Sequence, residues 1–248
     1  MFRSIRSRVA RQRIHQQRRG SQVCEALESR RLLAAGDLDT SFSDDGKATV
    51  SFSGATSMTA HAVAVQSDGK IVVVGSKPTG ITSELDFAVV RFDPDGSRDL
   101  TFAAPPSPLP ATGLLTLGFG GRDDAEAVTI DYHGTAATNP FYGSIIVAGN
   151  SYDGGPHDQI LMAVARLNPD GSTQNPFDGD SKLTYRYGGN RNQTEAWGVL
   201  AQPGGRMVVV GSTIGSRDPD FLLVRFEPDG TIAAGGTRTT DFGGWEDA

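Results

Sequence analysis

The chain has 248 residues, room for one large all-β domain or two ordinary ones. Its 31 glycines and 13 prolines make up about 18% of it, against roughly 12% in average usage, which predicts many turns without reaching the collagen or low-complexity range. The single cysteine, Cys24, excludes an intrachain disulfide and a cysteine-rich zinc site. No apolar run of about 18 residues is present, so no membrane-spanning helix is expected.

The net charge of −6 joins two opposite parts. Residues 1–35 hold nine arginines against Glu25 and Glu28, and the remaining residues, 36–248, are strongly acidic. An acidic body repels nucleic acid, so no nucleic-acid partner is expected and the basic head has a separate task. Within residues 1–20, Phe2, Ile5 and Val9 share a helical face. The stretch reads as a disordered basic tail or, on an anionic surface, as a short amphipathic helix. It lacks the apolar core of an ordinary secretory signal. The following residues Leu27, Glu28, Arg30, Leu32 and Leu33 resemble the Leu-Glu-Pro-Arg-x-Leu-Leu motif near the N-termini of exported planctomycete proteins, with Ser29 in place of the proline. That resemblance implies an export or surface-sorting signal, with Ala34-Ala35 compatible with processing; the alternative is a chance helical turn.

From Gly36 onward the chain repeats itself. Lys70–Ser76, Ile145–Asn150 and Arg206–Ser212 are β-branched runs that reach a glycine, Gly75, Gly149 or Gly211, and each reads as a strand followed by a tight turn. Asp86–Phe92, Leu161–Leu167 and Asp220–Phe226 follow, each running into an Xaa-Pro-Asp-Gly turn at 93–96, 168–171 and 227–230. Each glycine-containing run is preceded by another strand, opening at Ala60, Ala125 or Ala196, and that in turn by Phe52-Ser53-Gly54, Phe119-Gly120-Gly121 or Tyr187-Gly188-Gly189. A fourth copy begins at Phe242-Gly243-Gly244, with its first strand near 245 and its alanine at Ala248. A fourth element links the Asp-Gly turn to the Gly-Gly signal. It is clearest in Leu38–Phe42 followed by a strand over Gly46–Phe52, and reappears in Gly179–Tyr187. Each unit therefore offers about four strands, with Ala103–Gly113 and His133–Gly143 as surface insertions.

Along Phe87–Phe92, the residues Phe87, Val89 and Arg91 face one way and Ala88, Val90 and Phe92 the other. Both faces are largely apolar, so the sheet is covered on both sides. Radial stacking of such four-stranded sheets is the β-propeller, whereas a sandwich would leave one face polar. Arg91, Arg166 and Arg225 recur on the otherwise apolar face and must be paired. Asp86 and Asp220 stand five residues before their arginines, on the opposite face. The expected partner is therefore a carboxylate or carbonyl of a neighbouring strand or turn; the other reading is a ring of arginines gripping an anion.

The signals at 36–42, 62–75 and 86–96, with Phe-Gly-Gly, resemble the delta-60 repeat family, tandem units of bacterial and mostly exported proteins that look like β-propellers. The resemblance covers roughly residues 36–248 and is weakest in the second unit, where Tyr142-Gly143-Ser144 replaces Asp-Gly-Lys. It carries no catalytic motif.

No Gly-x-Ser-x-Gly, His-Glu-x-x-His or P-loop is present, and the histidines His15, His61, His133 and His157 are not spaced as ligand pairs. Acidic turns at 93–96, 153–158 and 178–180 are too sparse for an EF-hand, leaving calcium only as a hypothesis. Asp44-Asp45 and Asp123-Asp124 read as solvated turn residues. His61, Glu126 and Trp197 occupy one repeat position, expected near a rim or channel and not as a shared catalytic group.

The expectation is an all-β, propeller-like protein of three full repeats plus the start of a fourth, an incomplete ring. The break at Ala248 reads as a fragment of a longer chain or as a ring completed by a second copy. The Gly46–Phe52 strand is expected to join the last blade of a closed ring. Its function is expected to be that of an exported or cell-surface, non-enzymatic binding or structural scaffold with a protein or carbohydrate partner. No catalytic, cofactor-binding or metal residue is assigned. The alternative is a propeller lyase or lactonase with a metal in its central channel, which would need polar ligands from several innermost strands where His61, Glu126 and Trp197 stand.

Overall fold

In a computed structural model, the residues described are 36–51, 57–80, 84–103, 112–152, 159–173, 177–189, 192–214 and 219–240. The basic head, the Leu27–Leu33 motif, Cys24, the turn at 153–158, the repeat start at Phe242, most of the 103–113 insertion and Phe52–Gly54 lie outside them. The chain divides after Asp37, and the described residues belong almost wholly to the second unit, Leu38–Ala248.

Twelve strands form three antiparallel sheets of four, each in simple sequential order. The first blade holds β1 (Thr59–Val65), β2 (Ile71–Pro78), β3 (Leu85–Phe92) and β4 (Leu114–Leu117). The second holds β5 (Asp123–Ile130), β6 (Ile145–Tyr152), β7 (Ile160–Leu167) and β8 (Lys182–Tyr185). The third holds β9 (Gln193–Ala201), β10 (Met207–Ile214), β11 (Pro219–Phe226) and β12 (Ile232–Thr240). Four strands per unit and three full units are as the repeat demands.

The two-faced strands explain the stacking. One core joins the first two blades: Val72, Val74, Phe87 and Val89 of the first meet Ile145, Val147, Ala163 and Leu167 of the second. The next core joins Ile146, Ala148, Met162 and Val164 to Met207, Val209, Leu222 and Val224. Successive residues of one strand thus serve two different junctions, which is the propeller arrangement.

Three expectations need correction. The runs containing Gly75, Gly149 and Gly211 do not turn there; β2, β6 and β10 pass straight through the glycine. The glycine answers a bulge in the neighbouring strand. The ladder slips at Ala60/Ala62, Ala125/Ala127 and opposite Val210/Gly211, so that His61, Glu126 and Trp197 are each the extra residue. The bulge drives the carbonyls of Thr59, Asp124 and Glu195 onto the glycines, and a Cβ there would lie far inside van der Waals contact with the oxygen.

Second, residues 47–51 of the expected Gly46–Phe52 strand belong to no strand; the last blade, which it was expected to join, already has β12 as its fourth strand. Ala48 and Val50 instead line a cavity of about 220 Å³ over Val73, Ala88, Val90 and Phe92 of the first blade. Third, Asp123 and Asp124 are buried residues of β5, not solvated turn residues. Asp124 accepts a hydrogen bond from Ser76 Oγ (2.6 Å) and pairs with Arg122 (3.0 Å). Asp123 accepts from the Phe119 amide (2.6 Å). Asp44 and Asp45 are exposed turn residues, as expected.

Candidate functional site

Two arrangements recur at each junction: the bulges of the first strand of each blade, and a socket that grips the next blade.

At the first bulge His61 Nδ1 lies 2.9 Å from the Ala125 carbonyl and 3.3 Å from Glu126 Oε2, linking the bulges of blades one and two. Beside them, Ser76, Arg122 and Asp124 help line a polar cavity of about 220 Å³. In the third blade Trp197 is 55% exposed, its Nε1 3.4 Å from Ser212 Oγ, which donates to Glu195 Oε2 at 2.7 Å. One bulge position thus presents an imidazole, a carboxylate and an indole. Of the three, Trp197 is open, while His61 and Glu126 are partly covered by each other. Among the described residues no three histidine, cysteine or acidic side chains are grouped to hold a metal ion.

The socket begins with an arginine. Arg91 donates through Nη1 to the Pro169 carbonyl (2.6 Å) and through Nε to Asp99 (2.7 Å). Gln66 Nε2 donates to the same carbonyl at 2.9 Å, and the guanidinium lies 4.9 Å from the centre of the Phe102 ring. In the second blade Arg166 is fully buried. It donates through Nη2 to the Gly205 carbonyl (2.6 Å) and through Nη1 to that of Pro228 (3.3 Å), between the rings of Phe141 (4.7 Å) and Phe177 (5.9 Å). Arg91 and Arg166 therefore bind the Xaa-Pro-Asp-Gly turn of the following blade, the kind of carbonyl partner that the repeat called for, whereas Arg225 is exposed.

The compensating carboxylate changes place. The first blade carries it at Asp99, beyond the turn, and an amide at Gln66. In the second the position of Gln66 is taken by Asp131, 3.9 Å from Arg166 Nη2. Burial pushes the Arg166 guanidinium down to about 10, opposed by Asp131. Burial by itself would raise Asp99, but hydrogen bonds from Thr101 and Lys70 and the charge of Arg91 hold it well below the usual carboxylate range.

Each socket is closed by a latch. Phe102 and Phe177 lie against Gly171 and Gly230 of the next turn, and the amides that follow, of Ala103 and Asp178, donate to the Asp170 and Asp229 carbonyls at 2.8 and 3.0 Å. Phe42 lies in the same way on Gly96, with the Ser43 amide on the Asp95 carbonyl (2.7 Å). Ser43, Ala103 and Asp178 all adopt positive φ (50°, 46° and 43°), a strain that the latch must overcome. Sequence reading saw Leu38–Phe42 but missed its counterpart Asp99–Phe102. The signal available was Asp-x-[Ser/Thr]-Phe: Asp39 caps Ser41 (2.9 Å to its amide) as Asp99 caps Thr101 (2.8 Å). The His133–Gly143 insertion is more than a surface loop, since it supplies Phe141 beneath Arg166.

Asp95, Asp170 and Asp229 cap their own turns through Ser97, Ser172 and Thr231, whose hydroxyls and amides lower each carboxylate. The acids suspected of holding calcium at 93–96 thus have an internal role.

These features define a propeller-like repeat protein built from sequential four-stranded blades. Residues 66–102, 143–173 and 202–241 match a family described as a domain of unknown function (DUF5122) beta-propeller. The matched stretches hold the second and third strands of each blade and the Asp-Gly turn; the three bulge residues fall outside all of them. No curated protein matches the chain. Among the described residues no helix is long and apolar enough to cross a membrane.

Proposed function

We propose that this is an exported or cell-surface scaffold of the delta-60 repeat kind, whose inner-strand rim binds a protein or carbohydrate without transforming it. The observation that carries the reading is the contrast between the two recurring arrangements. The sockets and latches use nearly the same residues at each junction, and Arg91, Asp99, Arg166 and Asp131 are consumed in holding blades together. The bulge position carries His61, Glu126 and Trp197, on a backbone feature that aims side chains out of the ladder. An exposed indole next to hydrogen-bonding Glu195 and Ser212 has the apolar face and polar edge that sugar rings and partner surfaces engage. The Arg-rich head with Leu27–Leu33 supports export.

The test is affinity electrophoresis of the full chain through gels containing neutral or acidic polysaccharides, alongside Trp197→Ala, with the polymer recovered for sizing and N-terminal sequencing of protein from the native cell. Retardation that Trp197→Ala abolishes, with polymer length unchanged and the protein found outside the cytoplasm, supports the reading. Shortened polymer, or protein held inside the cell with Met1 in place, contradicts it.

A further inference from the structure

The first and second junctions are closed differently beside their bulges. Asn150 follows Gly149 in β6, and its Oδ1 accepts from the Ala196 amide of the third blade at 2.8 Å. Ser76 follows Gly75 at the same position of β2. Its shorter side chain stops at Asp124 Oδ1 (2.6 Å), and the polar cavity of about 220 Å³ stands beside it. That volume is below the roughly 300–1,000 Å³ of pockets for drug-sized ligands, so the cavity suits a small molecule.

Two opposite charges line this cavity with hydrogen-bonding capacity left over. Arg122 pairs through Nε with Asp124 Oδ2 (3.0 Å), and its guanidinium lies 5.4 Å from the centre of the Tyr152 ring. Among the described residues no hydrogen bond engages its Nη groups. Asp124 is satisfied at both oxygens, by Ser76 and Arg122. Glu126 meets His61 Nδ1 through Oε2 (3.3 Å), and among the described residues nothing engages its Oε1. His61 Nδ1 also meets the Ala125 carbonyl (2.9 Å). A carbonyl only accepts, so the neutral ring carries its proton on Nδ1 and offers Nε2 as an acceptor. Thr59 adds a hydroxyl to the lining.

A neutral sugar would leave both charges without a counter-charge. A simple amine would meet Arg122 as well as Glu126, and a simple anion would meet Glu126 as well as Arg122. A zwitterion answers both. We propose that this cavity binds a small free amino acid, with its ammonium on Glu126 Oε1 and its carboxylate on the Nη groups of Arg122. An ammonium donates in several directions, here to Glu126, His61 Nε2 and the Thr59 hydroxyl. The planar guanidinium takes a carboxylate through two parallel hydrogen bonds. The site is separate from Trp197, on which the polymer-binding reading stands.

Isothermal titration of the full chain with glycine, L-alanine and L-serine tests this, with methylamine and acetate as probes of each end alone. At least one of the three amino acids is expected to bind, and methylamine and acetate at least tenfold more weakly. Glu126→Gln, which keeps the shape and removes the charge, should weaken amino-acid binding at least tenfold with the circular dichroism unchanged. Ser76→Asn, which installs the bridge found at the second junction, should abolish binding in a chain that still folds. Binding of none of the three overturns the proposal, as does methylamine or acetate binding as tightly as an amino acid, or amino-acid binding that either variant leaves intact. Retardation in polysaccharide gels is read at Trp197, so either reading can fail without the other.

Discussion

The guanidinium of Arg91 in the first blade holds the carbonyl of Pro169 in the second at 2.6 Å, and the same carbonyl accepts from Gln66. A proline carbonyl at a turn is a fixed acceptor, and the planar fork of arginine satisfies it and Asp99 together. Lysine has the charge but not the fork. Arg91→Lys is therefore expected to destabilise the protein by about 1.5–3 kcal/mol, the scale of one charged hydrogen bond. Chemical denaturation at neutral pH measures it, and an unchanged midpoint would count against the socket.

The second junction is more exposed to the loss of one partner. Arg166 and Asp131 are both fully buried, and removing one strands the other's charge. Asp131→Ala should cost about 3–5 kcal/mol. Arg166→Met with Asp131→Leu should cost clearly less than Asp131→Ala, because it removes both charges. The ordering of the two midpoints is the readout.

Gly75, Gly149 and Gly211 face bulge carbonyls that leave no space for a Cβ. Alanine at any of them should cost about 3 kcal/mol, at the upper end of overpacking penalties. Alanine at Gly189, where a Cβ meets nothing within 4 Å, is the control and should cost under about 1 kcal/mol.

Two sets of acids act oppositely with pH. Asp95, Asp170 and Asp229 are lowered by their turn hydrogen bonds, so their stabilisation is complete above about 3.8 and disappears as pH falls through their folded values. Asp123 is raised, chiefly by burial, so its ionised form disfavours folding at neutral pH and that penalty is relieved on acidification. Asp95→Asn should melt below the wild type at pH 7, with the gap closing under pH 3.8. Asp123→Asn should melt above it at pH 7, with the gap closing toward pH 3.8. Thermal melts across pH 2.5–7 separate the two signs.

The blade was legible because its strands are apolar on both faces and its turns are spelled by Pro-Asp-Gly; Phe87 to Phe92 alone required covering on two sides. The arginine partner was legible as a kind of group but not as Pro169 or Pro228, since the donor and acceptor lie 78 and 62 residues apart. Gly75 misled because a glycine after a β-branched run signals a turn as well as a bulge on the next strand, and only pairing tells them apart. Asp123 and Asp124 misled because adjacent acids usually stay in water. Here they open a strand at a junction, where Phe119 and Ser76 supply hydrogen bonds that no spacing reveals.

The central claim is that each arginine socket holds its own junction. Amide hydrogen exchange by NMR tests it at two reporters, the Ala103 amide bound to Asp170 and the Asp178 amide bound to Asp229. Arg91→Ala should speed exchange at Ala103 and leave Asp178 protected, and Arg166→Ala should do the reverse. Loss of protection at both sites together, or at neither, would contradict it.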